Sequence, residues 1–423
     1  MPFQSIQFTV QYLKKYALYS PFIHEKPHED LFLIVVIPCF NEHDIITSLN
    51  SLWICKRPNC AVEIIIVINA SENSNDTIIK QNKLTEKAIT IWLSSHYNNS
   101  FRFFLIIKNN LPAKDAGVGL ARKIGMDEAI HRFEILKKNE GVIISFDADC
   151  TCQQNYLCEI ERLFKENSKL NGCSIQFEHP LEGDDFDDFT YYAVAGYELY
   201  LRYYISALRF AGHPFAYQTI GSSFAIRADV YCKQGGMNKR KAGEDFYFLQ
   251  KVIQLGNYAD LNSTKVFSSP RPSDRVPFGT GAVIEKMQKS GDPNYFTYNL
   301  QAFDDIADIV RLSAKMYGKN EAQLNSLLIE FSMPVQKFLI KNNFVKNVIE
   351  CIRNSSSQLT FLQRFFKWFN MFKVLKFMNY SHPAFYSYKG VEDVAKQFLL
   401  IKKIKCNANS AIELCKIYRK FNL

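Results

Sequence analysis

The sequence predicts an α/β fold, a mainly parallel sheet flanked by helices, followed by a mostly helical C-terminal appendage. Three observations point there. Apolar runs of strand length alternate four times with segments of helical periodicity across residues 31–167. Those strand candidates are continuous apolar runs, as strands buried on both faces require. From about Gln301 onward the strand pattern gives way to amphipathic spacing, for example Ile306, Ile309, Val310 and Leu312.

Leu31 to Ile37 reads as the first strand, stopped by Pro38, with a helix starting around Glu42 and carrying Ile45, Ile46, Leu49 and Leu52. Ile64 to Ile68 is the second strand, ending in a polar loop that includes Asn69, Ser71 and Asp76. Phe103 to Ile107 is the third, followed by a long loop and a helix from about Gly119 to Lys137. Val142 to Phe146 is the fourth, with a helix from about Gln154 to Asn167. Right-handed crossovers then make this half mainly parallel. Beyond it come an acidic loop, Gly183 to Asp188, and a long helix, Tyr191 to Phe210. A strand at 218–226 and a helix at 244–255 ending at Gly256 follow. Residues 268–281 are too rich in turn formers for either element.

Composition narrows the class. A chain of 423 residues with 47% hydrophobic content is globular and long enough for two or three domains. No apolar run approaches the roughly 18 residues that span a bilayer. Lys14 and Lys15 follow the first apolar residues, an order opposite to that of a secretory leader. The 11 cysteines lack regular spacing, which suits reduced thiols and a cytoplasmic protein. Cys150 and Cys152 have no Cys-x-x-Cys partner pair and read as structural. The net charge of +9 is uneven, since residues 335–423 hold 16 basic against 4 acidic residues. The rest of the chain is slightly acidic.

The most informative stretch is Gly141-Val-Ile-Ile-Ser-Phe-Asp147-Ala148-Asp149, an apolar strand ending in two spaced carboxylates. Ligands of open α/β sheets bind outside the carboxyl ends of strands. Hard oxygen ligands there suit Mg²⁺ or Mn²⁺, which keep several waters and bridge to substrate phosphates. Taken alone, Asp-x-Asp is also what a solvated strand-end turn looks like. Gly117-Val-Gly119 lacks the third glycine of a dinucleotide fingerprint and lies well beyond its strand. No Walker-type loop and no zinc-ligand spacing is present, and Pro38-Cys-Phe-Asn41 replaces the glycine-rich loop a nucleotidyltransferase would need.

In context the motif resembles that of family 2 glycosyltransferases with the GT-A fold, a Rossmann-like nucleotide-sugar architecture. Val35-Val-Ile-Pro38-Cys-Phe-Asn41-Glu42 looks like that family's opening strand, and Ala116 to Gly125 like the helix before its metal strand. Gly221-Ser222-Ser-Phe-Ala-Ile-Arg227 looks like its acceptor-side strand. Gly235-Gly236, Gly243-Glu244-Asp245 and Gly256 follow in the family's order. The resemblance covers roughly residues 30–290. It implies an N-terminal extension at 1–30 and a catalytic domain at 31–290. Within that domain, 31–150 is the nucleotide-sugar half and 151–290 the acceptor half. Residues 291–423 form a helical basic region.

The resemblance further implies transfer of a hexosyl group from a nucleotide diphosphate sugar to a saccharide or lipid-linked acceptor, with inversion. Asp149, with Asp147, would hold Mn²⁺ or Mg²⁺. Asp245 would be the base, with Glu244 helping to hold the acceptor. As a bare sequence feature, Glu244-Asp245 reads first as a helix N-terminal acidic pair, and only the ordered set of motifs reverses that. Pro38, Asn41, Glu42, Asn69 and Ser71 would meet the base and ribose, and Lys114 and Arg122 the phosphates. The loop at Arg271 and Arg275 departs from the family; two arginines between prolines and glycines suit either a lid on the leaving diphosphate or a plain surface loop. Gly221 and Ser222 would face the acceptor; His213, which matches no family ligand, reads either as a further acceptor contact or, as a lone histidine more often does, as a structural residue. Two departures stand out: Asn69 replaces a common Asp, and no Gln-x-x-Arg-Trp signature occurs. The competing class is a non-catalytic protein that keeps the fold and binds a glycan or nucleotide sugar.

The run Phe361 to Phe377 is basic, aromatic and helix-like. One reading lays it on an anionic membrane as a peripheral contact at the inner face. The other packs its aromatics inside and leaves its lysines solvated, and the spread of apolar residues around the helix favours that one. No nucleic-acid motif accompanies it.

Overall fold

The computed structural model describes residues 3–273 and 279–423. An eight-stranded, mainly parallel sheet is built from β1 (Leu31–Cys39), β2 (Ala61–Ser71), β3 (Phe101–Leu111), β4 (Val142–Ser145), β5 (Cys150–Cys152), β6 (Gly172–Glu178), β7 (Phe224–Arg227) and β8 (Tyr258–Ser268). Their order is β3-β2-β1-β4-β7-β6-β8-β5. The first four are parallel neighbours, β7 runs antiparallel to β4 and β6, and β5 antiparallel to β8. Strands β1 and β4 are adjacent although two βα units separate them in sequence. At that point the chain's progress across the sheet reverses, which makes their carboxyl ends the place for a ligand.

The alternation reads as the sequence requires. Helices Ile45–Trp53, Asp76–Ser95, Val118–Ile135 and Tyr156–Glu166 follow the strands. The central strands β1, β2 and β4 are buried almost throughout, so both faces are covered by helices. Boundaries differ in instructive ways. Pro38 does not stop β1. The Val36 carbonyl accepts from Phe146 N at 3.1 Å, so by period-two alternation the Pro38 nitrogen faces the same side. Strand pairing with β4 ends at Val36–Ser145, and the missing N–H breaks no ladder bond there. The next helix begins at Ile45 rather than Glu42, because Asp44 caps it through Thr47 N. The expected strand at 218–226 shrinks to β7, because a turn closed by Ser223 N on the Ile220 carbonyl precedes it.

The chain divides into two compact units, residues 1–180 with 219–282, and residues 181–218 with 283–423. The first contains the sheet. The second is helical among the described residues, with helix Asp188–Phe210, eight helices from Leu300 to Lys420, and a two-stranded pairing of 296–297 with 389–390. Within it Phe361, Phe365, Phe369, Val374 and Phe377 are fully buried, and Phe338 packs edge-on against Phe377 at 5.2 Å. The aromatic side of the 361–377 run is core.

Candidate active site

The carboxyl ends of β1 and β4 carry two arginine–carboxylate clusters. The inner one centres on Arg122, on the helix Val118–Ile135, with its side chain 2% exposed. Its Nη2 donates to Asp147 Oδ1 at 2.6 Å and its Nη1 donates to Glu244 Oε1. Asp245 lies beside the same guanidinium. The approach is possible because position 221 is glycine. A Cβ there would stand 3.0 Å from both Arg122 Nη2 and Asp245 Oδ2.

Glu244 and Asp245 open the helix Glu244–Ile253, whose preceding residue, Gly243, has φ +68°. That left-handed turn favours glycine and aims both carboxylates back at the end of β4. Asp245 Oδ1 accepts from Phe246 N at 2.7 Å, and Asp245 is half-buried while Glu244 is buried. Burial pushes the Glu244 carboxyl up to about 7, against the pull of Arg122 and with help from Asp245. Desolvation also raises Asp245, again opposed by Arg122. For Arg122, burial works against the cation, but the carboxylates of Asp147, Glu244 and Asp245 outweigh it and hold its pKa above the ordinary value.

The outer cluster centres on Arg271, on irregular chain after β8. Its guanidinium grips Glu42 with two bonds, Nη1 to Oε1 at 2.9 Å and Nη2 to Oε2 at 2.5 Å. Glu42 is buried and also accepts from His43 N and Asp44 N, at 2.9 and 3.1 Å. Arg271 Nη2 lies 4.0 Å from Asp149 Oδ2, whose side chain is 30% exposed. The Glu42 bonds come first among the causes that raise the Arg271 pKa.

Beside β1 and β2 a third group is purely amide. Asn41, at φ +47°, donates its N–H to Asn82 Oδ1 at 3.0 Å, and Asn82 Nδ2 donates to the Asn69 carbonyl at 3.0 Å and to Asn109 Oδ1 at 2.8 Å. Asn69 is 3% exposed, and its Oδ1 is buried with no hydrogen-bond partner among the described residues. A buried acceptor left open costs free energy unless something donates to it. Nothing in the sequence singled out Asn82. It is one polar residue among many on its helix, and only the folded chain puts it between two strand ends.

The structure therefore brings together Asp147, Asp245, Glu244, Arg122 and Gly221, and separately Glu42, Arg271 and Asp149. Arg122, expected at donor phosphates, has its guanidinium in the buried cluster, and Glu244, expected at the acceptor, is paired with it. Pro38 is buried within β1, and Ser71 ends β2 and accepts from Asn73 N at 3.2 Å. Lys114 is exposed in the turn after β3. Ser222 is buried, its hydroxyl 3.3 Å from that of Ser223. His213 lies in the helical unit, where Nε2 donates to the Phe369 carbonyl at 3.0 Å and Nδ1 accepts from Phe215 N at 3.3 Å. With both nitrogens on backbone groups, and burial lowering its pKa to about 4, His213 is a neutral packing residue there. Arg275 lies outside the described residues.

Among the described residues no three His, Cys, Asp or Glu side chains converge into a ready-made metal cage. An ion held by one or two carboxylates and completed by substrate phosphates and water needs none. Asp149, partly exposed at the strand end, fits that kind of site. Asp147 has committed one oxygen to Arg122 and has a second to offer.

No protein-family model matches the chain, and no curated protein does. Solved structures do resemble it. Residues 1–349 of TarS from S. aureus are 14% identical over 57% of this chain and 61% of that one, with a TM-score of 0.36. The same TarS segment in complex with UDP-GlcNAc is 12% identical over 67% of each chain, with a TM-score of 0.38. The mannosyltransferase PcManGT from Pyrobaculum calidifontis, in complex with GDP-Man and Mn²⁺, is 13% identical over 86% of this chain and 94% of that one, with a TM-score of 0.38.

Among the described residues no helix is long and apolar enough to cross a membrane.

Proposed function

We propose that this protein is a metal-dependent glycosyltransferase of the family 2, GT-A type. It would move a hexosyl group from a nucleotide diphosphate sugar to an acceptor hydroxyl, with inversion. The observation that carries the reading is the meeting of Glu244-Asp245 with Asp147 around Arg122. Residues far apart in the chain, expected on motif order to share a site, lie on one guanidinium.

In this reading Asp149, assisted by Asp147, would hold Mg²⁺ or Mn²⁺, whose positive charge would offset that of the departing diphosphate. Asp245 takes the proton from the acceptor hydroxyl. Its raised pKa brings it nearer to neutral pH, where a base is most effective. Arg122 and Glu244 position Asp147 and Asp245 rather than touch substrate. In this reading Asn69, whose buried Oδ1 has no partner among the described residues, would accept an N–H from the nucleobase, and Arg271, on leaving Glu42, would offer a two-pronged donor to the diphosphate. The acceptor is a saccharide or lipid-linked hydroxyl.

A thermal-shift panel of nucleoside diphosphates and their sugars, with and without Mn²⁺, tests the donor class. Wild type should be stabilised by a nucleoside diphosphate more strongly with the metal, and Asp149→Ala should lose that increment while remaining folded. Donor binding without any transfer or hydrolysis would instead favour the non-catalytic reading.

A further inference from the structure

We propose that Cys55 and Cys152 are a redox pair, closing under peroxide to a reversible disulfide that pins the acidic turn at Asp147–Asp149. The pairing is tertiary, since 97 positions separate the two thiols, yet their Sγ atoms stand 3.6 Å apart. A disulfide spans about 2.05 Å, so closure requires an approach of only about 1.5 Å. The inference does not rest on the proposed transfer reaction.

The two cysteines join elements that already touch the site. Cys55 follows the helix Ile45–Trp53, which starts just after Glu42 and its partner N–H groups. Cys152 ends β5, in the strand that directly follows Asp149. One bond already ties these elements, from Ser48 Oγ to the Ala148 carbonyl at 2.7 Å. A cross-link at their far ends would add a second tie and fix the turn between them.

The surroundings suit the chemistry. Cys55 is buried but sits between the exposed Ile54 and Lys56, within reach of a small oxidant. A hydrogen bond from Cys152 lowers the Cys55 pKa against the opposing effect of burial, with Arg57 adding to it, while that of Cys152 is raised, so Cys55 is the thiol of the pair readier to ionise. Its thiolate attacks one oxygen of hydrogen peroxide. The O–O bond breaks, leaving Cys55 as sulfenic acid, and the expelled hydroxide takes up the thiol proton as water. The Cys152 sulfur then attacks Cys55 Sγ, the S–O bond breaks, and the hydroxyl leaves with the Cys152 proton as a second water. Two thiols are oxidised and one peroxide is reduced to two waters.

The experiment treats the full-length reduced protein with stoichiometric hydrogen peroxide. The intact mass should fall by about 2 Da, and dithiothreitol should restore it. Peptide mapping should join the Cys55 and Cys152 peptides, and amide exchange across 147–153 should slow in the oxidised form. Cys55→Ser and Cys152→Ser should each abolish the cross-link. Sulfinic acid on either cysteine without a cross-link, or a disulfide between other positions, overturns the pairing. A cross-link with unchanged exchange across 147–153 overturns the pinning. The wild-type mapping decides the matter even if a variant folds poorly.

Discussion

The two arginine clusters use the same parts and differ in burial. Arg122 sits on a helix, 2% exposed, with Asp147 and Glu244 bonded to it and Asp245 alongside. Arg271 sits on irregular chain, 31% exposed, with one carboxylate gripped and a second at 4.0 Å. Around the buried arginine there is more negative charge than one cation can neutralise. Burial, aided by that excess, raises the Glu244 pKa to about 7. The exposed arginine faces a simpler balance with water to hand. Arg122 is thereby the more deeply fixed of the two, and Arg271 the more accessible to solvent.

The largest effect should come from removing the more deeply fixed arginine. Arg122→Ala leaves buried carboxylates without their cation and should cost about 3–5 kcal/mol, seen as a lower urea midpoint at unchanged m. A loss below about 1 kcal/mol, the scale of an exposed pair, would erase the contrast between the clusters.

Asp245→Asn comes next. It keeps the shape but cannot take a proton, so turnover should fall roughly 10²–10⁴-fold while nucleoside diphosphate affinity changes little. A product that retains the donor's anomeric configuration would refute the inverting role.

The charge imbalance also sets a pH dependence. Glu244 has a folded pKa raised from 4.5 to about 7, so the folded state binds the proton more tightly than the unfolded one. Its contribution is fully present below the unfolded value and is lost as pH rises from there through about 7, by at most about 3 kcal/mol. Asp245 is raised too and acts in the same direction. Urea midpoints at pH 5 and pH 8 should show wild type losing stability on the alkaline side, and Glu244→Gln should flatten that slope.

Arg271→Ala should be milder, about 1–2 kcal/mol, because Glu42 keeps the N–H groups of His43 and Asp44. Its main signature should be weaker nucleoside diphosphate binding by calorimetry. If it destabilises as much as Arg122→Ala, the outer cluster is fixed as deeply as the inner.

The smallest effect is expected far from both clusters in the chain. With Phe361, Phe365 and Phe377 in the core of the helical unit, the 361–377 run offers lysines but little apolar surface to a bilayer. Sedimentation with anionic liposomes should be negligible at physiological salt, and Lys367→Glu with Lys373→Glu and Lys376→Glu should change nothing.

Much of this was legible in the chain itself. Unbroken apolar runs at Leu31, Ile64, Phe103 and Val142 dictate buried parallel strands, because only a strand covered on both faces tolerates them. Asp147-Ala-Asp149 reads in the sequence as acidic residues at a strand end, and Gly243-Glu244-Asp245 as an acidic pair opening a helix, and the structure has both there. What the sequence left open is direction. Arg122 reads as a helix residue free to meet phosphate, and Glu244 as a helix-terminal acid. Their pairing depends on how the helix Val118–Ile135 packs beside β7's lead-in turn, where Gly221 leaves room. Asn82 as the link between Asn41 and Asn69, and Cys55 beside Cys152, likewise arise from strand order. Local periodicity fixes which face of an element is apolar. Which polar side chains then meet at the sheet's end is set by long-range packing, because contacts between residues distant in sequence leave no period in the chain.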